Sequence, residues 1–368
     1  MRILIYCAHP SQYHFYKHII ANLKEKGHKI ELAIKTKDIL ESLVKKDGLE
    51  YKNILPEQIN RSKFSLLISL FRRDIRLFRI AKDFNPDILI GSDACNTHAA
   101  KLLGIPGFVV GEDDYRIVKS LHWLMMPFAS GVLTPEPCNL GPFEKKKIPF
   151  QGYMKLAYLH PSIFKPDIEV ITKSGLNMPY CNIRLVKLNA HHDNRIDGLH
   201  ISLIQEIIMK LTSNGLNVYV DTEDEIPSEF SAYRLNINKS WFHHILAFAN
   251  LIISDSQSLS VEAAILGIPS IRINGFVGRI SVLEELEHRY GLTYGIHPSD
   301  ENAIITKIHE LLSDPDLPKT FRKKRDQMLQ DKINVHDFFV WFLDNFPSSW
   351  DRVKSGIVDN QFMNSLTS

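Results

Sequence analysis

Short apolar runs alternate with longer amphipathic stretches along this chain, beginning at its first residues. Arg2–Tyr6 is a mostly apolar run of the kind that forms a buried strand, and Lys29–Ile34 is a second one. Between them, Phe15–Lys26 has the spacing of an amphipathic helix that ends at Gly27. A strand, a helix and a second strand in this order are typical of a parallel sheet covered by helices. We therefore predict a doubly wound α/β fold.

Two later segments repeat this order of elements and resemble each other in sequence. Leu251–Arg272 and Ile88–Val109 both read as a strand, a turn with Ser-Asp, a helix with Ala-Ala, and Leu-Gly-Ile-Pro before a new strand. Matching the two alanine pairs requires a slip of one residue inside the helix. Two related units so far apart in the chain predict two Rossmann-like halves.

The length of the chain also favours two domains, because 368 residues are many for a single hydrophobic core. The predicted parts are a first Rossmann-like domain over residues 1–150, a connection over 151–166, a second Rossmann-like domain over 167–335, and a C-terminal helix and tail over 336–368. We expect the two parallel sheets to face each other across a cleft.

A polar loop in the second segment has the character of a phosphate site. It follows the strand Leu251–Ile253 and leads into a helix predicted over Leu259–Leu266, with Ser258 in the position of the N-cap. The start of such a helix presents unpaired backbone N–H groups and the positive end of the helix dipole. Glu262 lies four residues after Ser258 on the same helix face, where a carboxylate can accept hydrogen bonds from a sugar diol. The geometry predicts a nucleotide site.

Composition excludes several classes of protein. A net charge of +2 argues against a general nucleic-acid binder, which concentrates far more Lys and Arg. The four cysteines are scattered without a CxxC pair, which favours reduced thiols in a cytoplasmic protein over disulfides or a zinc site. We see no signal peptide and no apolar run near the ~20 residues that span a bilayer, and so we expect a soluble protein.

One predicted helix, Phe64–Phe84, combines an apolar stripe with many arginines. It could dock on anionic lipid, which would place the protein at the inner face of the membrane. It could instead cover one face of a sheet and turn its basic side to solvent. We favour the second interpretation, because the apolar stripe is no wider than a core-facing helix needs.

Acidic residues follow the predicted strand that ends at Val110. Glu112, Asp113 and Asp114 come at its carboxyl end, the edge at which open parallel sheets bind ligands. The pair Asp113-Asp114 by itself is weak evidence for a metal, and all three acids could simply face solvent. We expect no metal and no cofactor, because a helix dipole and backbone N–H groups can hold a diphosphate.

The segment Ser254–Pro269 resembles the GT-B superfamily, which includes nucleotide-sugar glycosyltransferases and UDP-N-acetylglucosamine 2-epimerases. The epimerase pattern Asp-Ser-Gly-Gly, then Glu-Ala, then Leu-Gly-x-Pro is matched except that Gln257 and Ser258 replace the two glycines. The resemblance implies that Glu262 holds the ribose hydroxyls. The residues assigned to the nucleotide sugar are His191, Ser256, Gln257, Ser258, Glu262 and Arg279.

Residues 1 to 340 as a whole look like a prokaryotic family of unknown function that is commonly predicted to be glycosyltransferases. The segments that carry this resemblance are Gly152–Pro161, Ala190–Gly198 and Ser254–Pro269. The resemblance implies a fold and a donor class but does not supply the reaction.

In a glycosyltransferase, His14 is the residue of interest. It precedes a predicted helix, similar to the pattern in which a histidine after the first strand deprotonates the acceptor hydroxyl. An equally good interpretation is that His14 caps or packs at the helix start, and His9 is a weaker candidate for the same base.

In an epimerase, Asp93 and Glu112 are the residues of interest. They fall where that family carries an Asp in Gly-Asp-Thr and a Glu after the next strand, and the chemistry needs an acid and a base. Two family segments depart from the pattern, since His9-Pro10-Ser11 replaces Arg-Pro-Glu and the segment at His191 lacks the Arg and Glu of His-Arg-x-Glu-Asn.

A third interpretation is a protein that binds a nucleotide sugar without turnover, which the clustering of candidate groups at strand ends makes the least favoured. We expect a GT-B enzyme with its site in the interdomain cleft. The donor would be a nucleotide-diphosphate sugar, UDP-linked, held by the second domain. The first domain would present an acceptor of cell-surface polysaccharide or glycoconjugate synthesis, with a lipid-linked acceptor at the membrane as one form of it.

Overall fold

The computed structural model describes residues 1–56, 63–185, 200–222, 226–354 and 356–366, with the side chains of 63–67 left out. The chain divides into two compact units. Unit 1 comprises Met1–Tyr158 and Lys332–Ser368, and unit 2 comprises Leu159–Asp331.

Every strand that the structure describes belongs to one of two parallel sheets. The strands are β1 Arg2–Cys7, β2 Lys29–Lys35, β3 Lys52–Leu55, β4 Ile88–Gly91, β5 Gly107–Val110, β6 Gly131–Pro135, β7 Lys147–Phe150, β8 Tyr180–Leu185, β9 Asn217–Thr222, β10 Leu251–Ser254, β11 Ser270–Ile273 and β12 Tyr294–Ile296. The order in unit 1 is β3-β2-β1-β4-β5-β6-β7, and the order in unit 2 is β12-β11-β10-β8-β9. The predicted α/β class with two Rossmann-like parallel sheets is confirmed.

Helices connect these strands. The α-helices are α1 Pro10–Glu25, α2 Leu40–Lys46, α3 Lys63–Phe84, α4 Ala94–Leu103, α5 Lys119–Met125, α6 Leu156–Leu159, α7 Glu169–Lys173, α8 Ile201–Ser213, α9 Phe242–Ala247, α10 Gln257–Leu266, α11 Ser281–His288, α12 Glu301–Leu312, α13 Leu317–Asp331, α14 Val335–Asp344, α15 Ser348–Val353 and α16 Asn360–Asn364. Short 3₁₀ helices lie at Met126–Phe128, Gly141–Lys146, Ser228–Tyr233 and Lys239–Trp241.

The strand order locates the edge at which a ligand is expected in each sheet. In unit 1 the chain runs outward from β1 in both directions, to β2 on one side and to β4 on the other. In unit 2 the strand β8 has the same role between β9 and β10. Such switch points leave a crevice beyond the carboxyl ends of the strands, because the connections leave to opposite faces.

The two segments that resemble each other in sequence fold into matching units. Each element of the second unit begins 163 residues after its counterpart in the first unit. The first strands begin at residues 88 and 251, the helices at 94 and 257, and the second strands at 107 and 270. Both helices have ten residues and end at a glycine with positive φ, 69° at Gly104 and 73° at Gly267. The two helices therefore align without the expected slip of one residue, and Ala100 is the counterpart of Ala263.

The C-terminal segment packs against helix α1 and strand β5. Phe339 in α14 meets Phe15 in α1 edge to face, with 4.8 Å between ring centroids. Phe342 meets Phe108 of β5 in the same way at 5.4 Å. These aromatic contacts explain why Lys332–Ser368 belongs to unit 1.

Some predicted helix boundaries were wrong. The first helix begins at Pro10 and not at Phe15, because His9 caps it and a proline suits its first turn. The helices α13 and α14 are separate, and between them the backbone N–H of Ile333 donates to the carbonyl of Gln151 at 2.8 Å. A residue that pairs with a distant segment in this way leaves the helical hydrogen-bond pattern.

Candidate functional site

The loop after β10 is shaped by its own hydroxyl groups. Ser254 is fully buried, and its Oγ accepts a hydrogen bond from the N–H of Ser256 at 2.9 Å. The Oγ of Ser256 accepts from the N–H of Leu259 at 3.4 Å, so Ser256 is the N-cap of α10. The prediction that Ser258 caps this helix was wrong, because α10 starts at Gln257 and Ser258 already lies in its first turn.

The first turn of α10 offers the groups that bind phosphate. Among the described residues, nothing accepts a hydrogen bond from the backbone N–H of Gln257 or of Ser258. The side chain of Ser258 is exposed, and Gln257 is half-buried. Two open N–H groups at the positive end of a helix dipole are an arrangement that can bind an anion.

Asn274 holds this loop in place from the neighbouring strand. Its side-chain amide donates to the carbonyl of Asp255 at 2.9 Å, and its Oδ1 accepts from the N–H of Phe276 at 3.0 Å. Asn274 is 7% exposed and follows β11 directly. This residue was not predicted from the sequence, although a polar side chain directly after a buried strand is a usable signal.

Arg279 lies in the loop between β11 and α11 and is exposed. Its guanidinium carbon lies 5.6 Å from the ring centroid of Phe276. This contact keeps a positive charge at the same sheet edge as the α10 terminus without burying it.

Glu262 lies one helical turn beyond the N–H groups and is only 9% exposed. Its Oε1 is 3.3 Å from Nε2 of His243, which α9 supplies. Burial of a carboxylate demands such partners, since an unpaired charge is costly in the interior. The pattern of α10 predicted Glu262, whereas His243 is distant in sequence and was missed.

The end of β8 carries a further charged pair at this edge. Arg184 forms an ion pair with Asp221 of β9 and lies over the ring of Phe242, with 5.1 Å from guanidinium carbon to ring centroid. The predicted site residue His191 follows this strand but lies outside the described residues.

Arg272 of β11 is completely buried and lies beside Ser254 of β10 in the sheet. None of its side-chain nitrogens has a hydrogen-bond partner among the described residues, and Nη2 is 3.9 Å from Oε2 of Glu287. Burial lowers the pKa of Arg272, and Glu287 opposes this shift. The guanidinium has room because the facing residue of β12 is Gly295, where a Cβ would come within 2.6 Å of Nη2.

In unit 1, Asp93 has two structural roles. Its side chain accepts from the N–H of Cys95 and forms a capping box with Asn96 at the start of α4. Its Oδ2 also pairs with Nη1 of Arg73 from α3 at 2.5 Å. Burial lowers the pKa of the nearby Lys35 at the end of β2, and Asp93 opposes this shift.

Glu112 is paired as well, after the next strand. Its Oε1 forms an ion pair with Nζ of Lys155, whose side chain is 7% exposed. Its Oε2 is buried and has no hydrogen-bond partner among the described residues. Asp114 does not face solvent, because it is 4% exposed and accepts from the N–H of Asn139 at 2.7 Å, whereas Asp113 is exposed.

The two histidines near the first strand have different environments. His9 is the N-cap of α1, and its Nδ1 accepts from the N–H of Ser11 at 3.3 Å. Burial lowers the pKa of His9, and Asp38 opposes this shift. His14 lies inside α1 and not before it, half-buried, with its ring centroid 5.6 Å from that of Tyr158. His14 therefore does not cap the helix.

Unit 1 thus gathers Asp93, Glu112 and the cations Arg73 and Lys155 at the carboxyl edge of β4 and β5. Unit 2 gathers the α10 terminus, Glu262 and Arg279 at the edge of β10 and β11. Neither cation was predicted from the sequence, since α3 and the segment before α6 give no local sign of the pairing. Within the described part of the chain, no three His, Cys, Asp or Glu side chains are arranged to hold a metal ion.

Comparison with known proteins gives matches by structure only. No family model and no curated protein sequence matches the chain. The UDP-GlcNAc 2-epimerase from Neisseria meningitidis, solved bound to UDP-GlcNAc, is similar with a TM-score of 0.68 at 16% identity, over 87% of this chain and 94% of that one. The chain has the GT-B fold.

Other structures with the GT-B fold include both kinds of enzyme. The UDP-GlcNAc 2-epimerase from Methanocaldococcus jannaschii has a TM-score of 0.61 at 13% identity, over 89% of this chain and 99% of that one. The glycosyltransferase SsfS6 from Streptomyces sp. SF2575 has a TM-score of 0.57 at 14% identity, over 93% and 99%. Identities this low establish the GT-B fold alone. The resemblance to a prokaryotic family of unknown function stays a prediction.

Proposed function

We propose that this GT-B protein is a glycosyltransferase that uses a nucleotide-diphosphate sugar, UDP-linked, as its donor. The observation that carries the proposal is the start of α10, where the open N–H groups of Gln257 and Ser258 lie one turn from the buried carboxylate of Glu262. An anion site beside an acceptor of hydroxyl hydrogen bonds suits a diphosphate joined to ribose.

Unit 2 would bind the donor in this scheme. The N–H groups of α10 hold the diphosphate, and Glu262, oriented by His243, accepts from the ribose hydroxyls. When the bond from sugar to diphosphate breaks, negative charge grows on the leaving phosphate. Fixed N–H dipoles stabilise that charge without reorganisation, which lowers the barrier.

Unit 1 would hold the acceptor and supply the base. His14 is half-buried against Tyr158, and a histidine is suited to take a proton from a hydroxyl near neutral pH. Asp93 and Glu112 are each tied to a cation, Arg73 and Lys155. Carboxylates held in this way serve as acceptors for sugar hydroxyls, whereas an epimerase needs one group that gives up a proton.

An epimerase acting on UDP-N-acetylglucosamine is the second candidate. The observation in its favour is that Asp93 and Glu112 follow adjacent strands, β4 and β5, as the epimerase pattern implies. A solved enzyme with the same fold, from Neisseria meningitidis, holds UDP-GlcNAc.

We place the acceptor in cell-surface polysaccharide or glycoconjugate synthesis and the enzyme in the cytoplasm. All four cysteines are free and buried, which fits a reducing compartment. None of the described helices has the length and apolar character that crossing a membrane requires.

A single assay separates the two reactions. The protein is incubated with UDP-N-acetylglucosamine, first alone and then with candidate acceptor glycans, and the sugar and nucleotide are followed by proton and phosphorus NMR. We expect UDP to appear only when an acceptor is present. Conversion to the C2 epimer without an acceptor would replace the transferase by the epimerase.

The role of Glu262 is tested by calorimetry with UDP. We expect Glu262→Gln to weaken UDP binding at least about tenfold, because the charged acceptor of two hydroxyl groups is lost. Glu310→Gln, which changes an exposed carboxylate of the same unit, should leave the affinity unchanged. Equal affinities for wild type and Glu262→Gln would remove Glu262 from the site.

The role of His14 is tested in the transfer reaction itself. His14→Gln should lower kcat about a hundredfold or more while UDP affinity stays the same, since only the proton acceptor is removed. His9→Asn keeps a capping side chain at the start of α1 and should retain activity. Loss of activity in His9→Asn alone would make His9 the base.

A further inference from the structure

A small cavity borders the carboxylates of unit 1. Ser92 and Gly111, the residues just before Asp93 and Glu112, contribute to its wall. Much of the remaining wall is apolar and includes Val109, Met125 and Val132. The cavity has a volume of ≈ 30 Å³.

One polar group in this wall lacks a partner. His122 of α5 is 2% exposed, and its Nδ1 is buried without a hydrogen bond among the described residues. Burial lowers the pKa of His122, against the influence of Asp114, and so the ring is neutral at pH 7. A neutral imidazole nitrogen can donate or accept according to its tautomer, and leaving it unmatched in the interior is unfavourable.

We propose that this cavity receives the acetamido group of an amino sugar. A water-sized group takes about 10–15 Å³ of such volume, so the cavity suits two or three non-hydrogen atoms and excludes a sugar ring. A hydroxyl would leave the apolar wall empty, and a methyl alone would leave the imidazole unmatched. The acetyl end of an acetamido group, with three non-hydrogen atoms, satisfies both, because its methyl can lie on the wall while its carbonyl oxygen accepts from Nδ1–H of His122.

This inference rests on one part of the proposed function, namely that a sugar binds at the carboxyl edge of β4 and β5. The acetamido group could belong to the sugar of the donor or to the acceptor. Two pairs of probes distinguish these sources. The first pair is UDP-N-acetylglucosamine and UDP-glucose, and the second is the methyl glycosides of N-acetylglucosamine and glucose.

Calorimetry with the full chain measures both pairs. We expect the acetamido member of at least one pair to bind about tenfold or more tightly, because filling an apolar pocket discriminates by that order. Val118→Phe, which fills the cavity, should abolish the preference. Leu102→Phe, at an exposed position of α4, should retain it. Equal affinities within both pairs, or no binding by any probe, overturns the cavity proposal.

Failure of the proposed function gives a different pattern. If UDP does not bind but the methyl glycosides still differ in affinity, the donor assignment fails and the cavity assignment stands. Circular dichroism of Val118→Phe at the temperature of the titration confirms that the variant is folded. A folded Val118→Phe that keeps the full preference also overturns the cavity assignment.

A separate observation concerns an exposed apolar face of unit 1. Its members are Ile68, Phe71, Trp123, Leu124 and Phe128. Phe71 is 66% exposed and Trp123 is 56% exposed, which is unusual for aromatic side chains in a water-soluble surface.

Hydrogen bonds join the parts of this face. His98 of α4 bonds Asp74 of α3 through Nδ1 at 3.0 Å and the carbonyl of Leu124 through Nε2 at 2.8 Å. Its ring also meets that of Phe128 edge to face, with 4.8 Å between centroids. His98 therefore links the middle of α3 to α5 and to the following 3₁₀ helix.

Basic residues lie on the elements that carry this face and on the adjoining segment. The exposed ones include Arg72, Lys101, Lys119 and Lys145. The amine of Lys146 bonds the carbonyls of Met126, Pro127 and Ala129, which keeps another cation at the edge. Aromatic and aliphatic side chains with a basic rim are complementary to an anionic lipid surface.

We infer that this face docks unit 1 on anionic lipid. The aromatic side chains enter the boundary between head groups and acyl chains, and the nearby Lys and Arg side chains are attracted to the anionic head groups. The end of α3 is not part of the face, because Leu77 and Ala81 are buried against the sheet.

Sedimentation with vesicles tests the docking. Vesicles of phosphatidylcholine alone are compared with vesicles that also contain phosphatidylglycerol, at low and high salt. We expect binding only to the anionic vesicles, with loss at high salt. The double variant Phe71→Ser and Trp123→Ser should bind at least about tenfold more weakly, since two apolar anchors are removed.

The control replaces two equally exposed apolar residues of unit 2. Ile168→Ser and Met209→Ser together should leave vesicle binding unchanged. Equal binding to both kinds of vesicle, no binding at all, or equal losses in the two double variants overturns the docking face.

Discussion

At the start of α10, two serines differ in what their hydroxyl groups can bond. Ser256 has extended backbone angles and its Oγ reaches the N–H of Leu259, whereas Ser258 is already helical and exposed. A capping hydroxyl replaced by methyl typically costs about 1 kcal/mol. We expect Ser256→Ala to lower the free energy of unfolding in urea by about that amount. Ser258→Ala should change it by less than about 0.5 kcal/mol, and the reverse order would contradict this assignment.

His18 in α1 makes the stability of unit 1 depend on pH. Burial first, and then the positive charges of Lys17 and His336, lower the pKa of His18 from 6.5 to about 4, with Asp47 opposing the shift. Unfolded chains bind a proton below pH 6.5 and the folded chain only below about 4. Stability is therefore lost as the pH falls through this window, by at most about 3 kcal/mol for this half-buried group.

The measurement for His18 is urea unfolding at a series of pH values. We expect His18→Gln to remove part of the loss between pH 6.5 and 4. His309→Gln, at an exposed position, should follow the wild-type curve. Identical curves for wild type and His18→Gln would contradict the assignment.

Individual residues of the candidate site differ in how far the sequence could predict them. Glu262 was predictable, because a carboxylate in the first turns of a helix that follows a strand and a polar loop is a local pattern. His243, Arg73 and Lys155 were not, because each meets its carboxylate only through folding, over sequence separations of 19, 20 and 43 residues.

The strands β11 and β12 and the helix α11 enclose the buried guanidinium group of Arg272. Arg272 of β11 lies beside Glu287 of α11. The guanidinium group fits there because Gly295 of β12 has no side chain. Because burial raises the pKa of Glu287 and lowers that of Arg272, both charges are costly there.

We expect Gly295→Ala to destabilise the protein by about 1–3 kcal/mol, since the new methyl overlaps a guanidinium that cannot move into solvent. In urea unfolding, Arg272→Met should reduce the effect of Gly295→Ala, with a coupling of about 0.5 kcal/mol or more. Gly356→Ala meets no atom within 4 Å and should be neutral. Additive effects of Gly295→Ala and Arg272→Met would show that the two sites are independent.

At the level of the whole molecule, the C-terminal segment completes the core of unit 1. Phe339 is fully buried, and its ring meets Phe15 and Phe150. Another contact links the side chain of Asn22 to His336 across 314 residues of sequence. Unit 1 is therefore built from the two ends of the chain.

Phe339→Ala should cost about 3–5 kcal/mol, because it leaves a cavity among aromatic rings. Hydrogen exchange would show faster exchange at the amides of α1 and β7, while β10 in unit 2 keeps its protection. Phe276→Ala, at a 39% exposed position, should have little effect on exchange in unit 1. Equal loss of protection in both units on Phe339→Ala would show that they unfold as one.

The sequence by itself determined the alternation of strands and helices, the repeated β-α-β unit, and the polar loop with its carboxylate at α10. These features are patterns of neighbouring residues, which backbone periodicity and helix capping translate directly into structure. Only the tertiary structure decided which cations pair with Asp93 and Glu112, that His14 lies within α1, and that Lys332–Ser368 joins unit 1. Those contacts arise because the order of parallel strands brings distant segments to one edge, and no local pattern encodes that order.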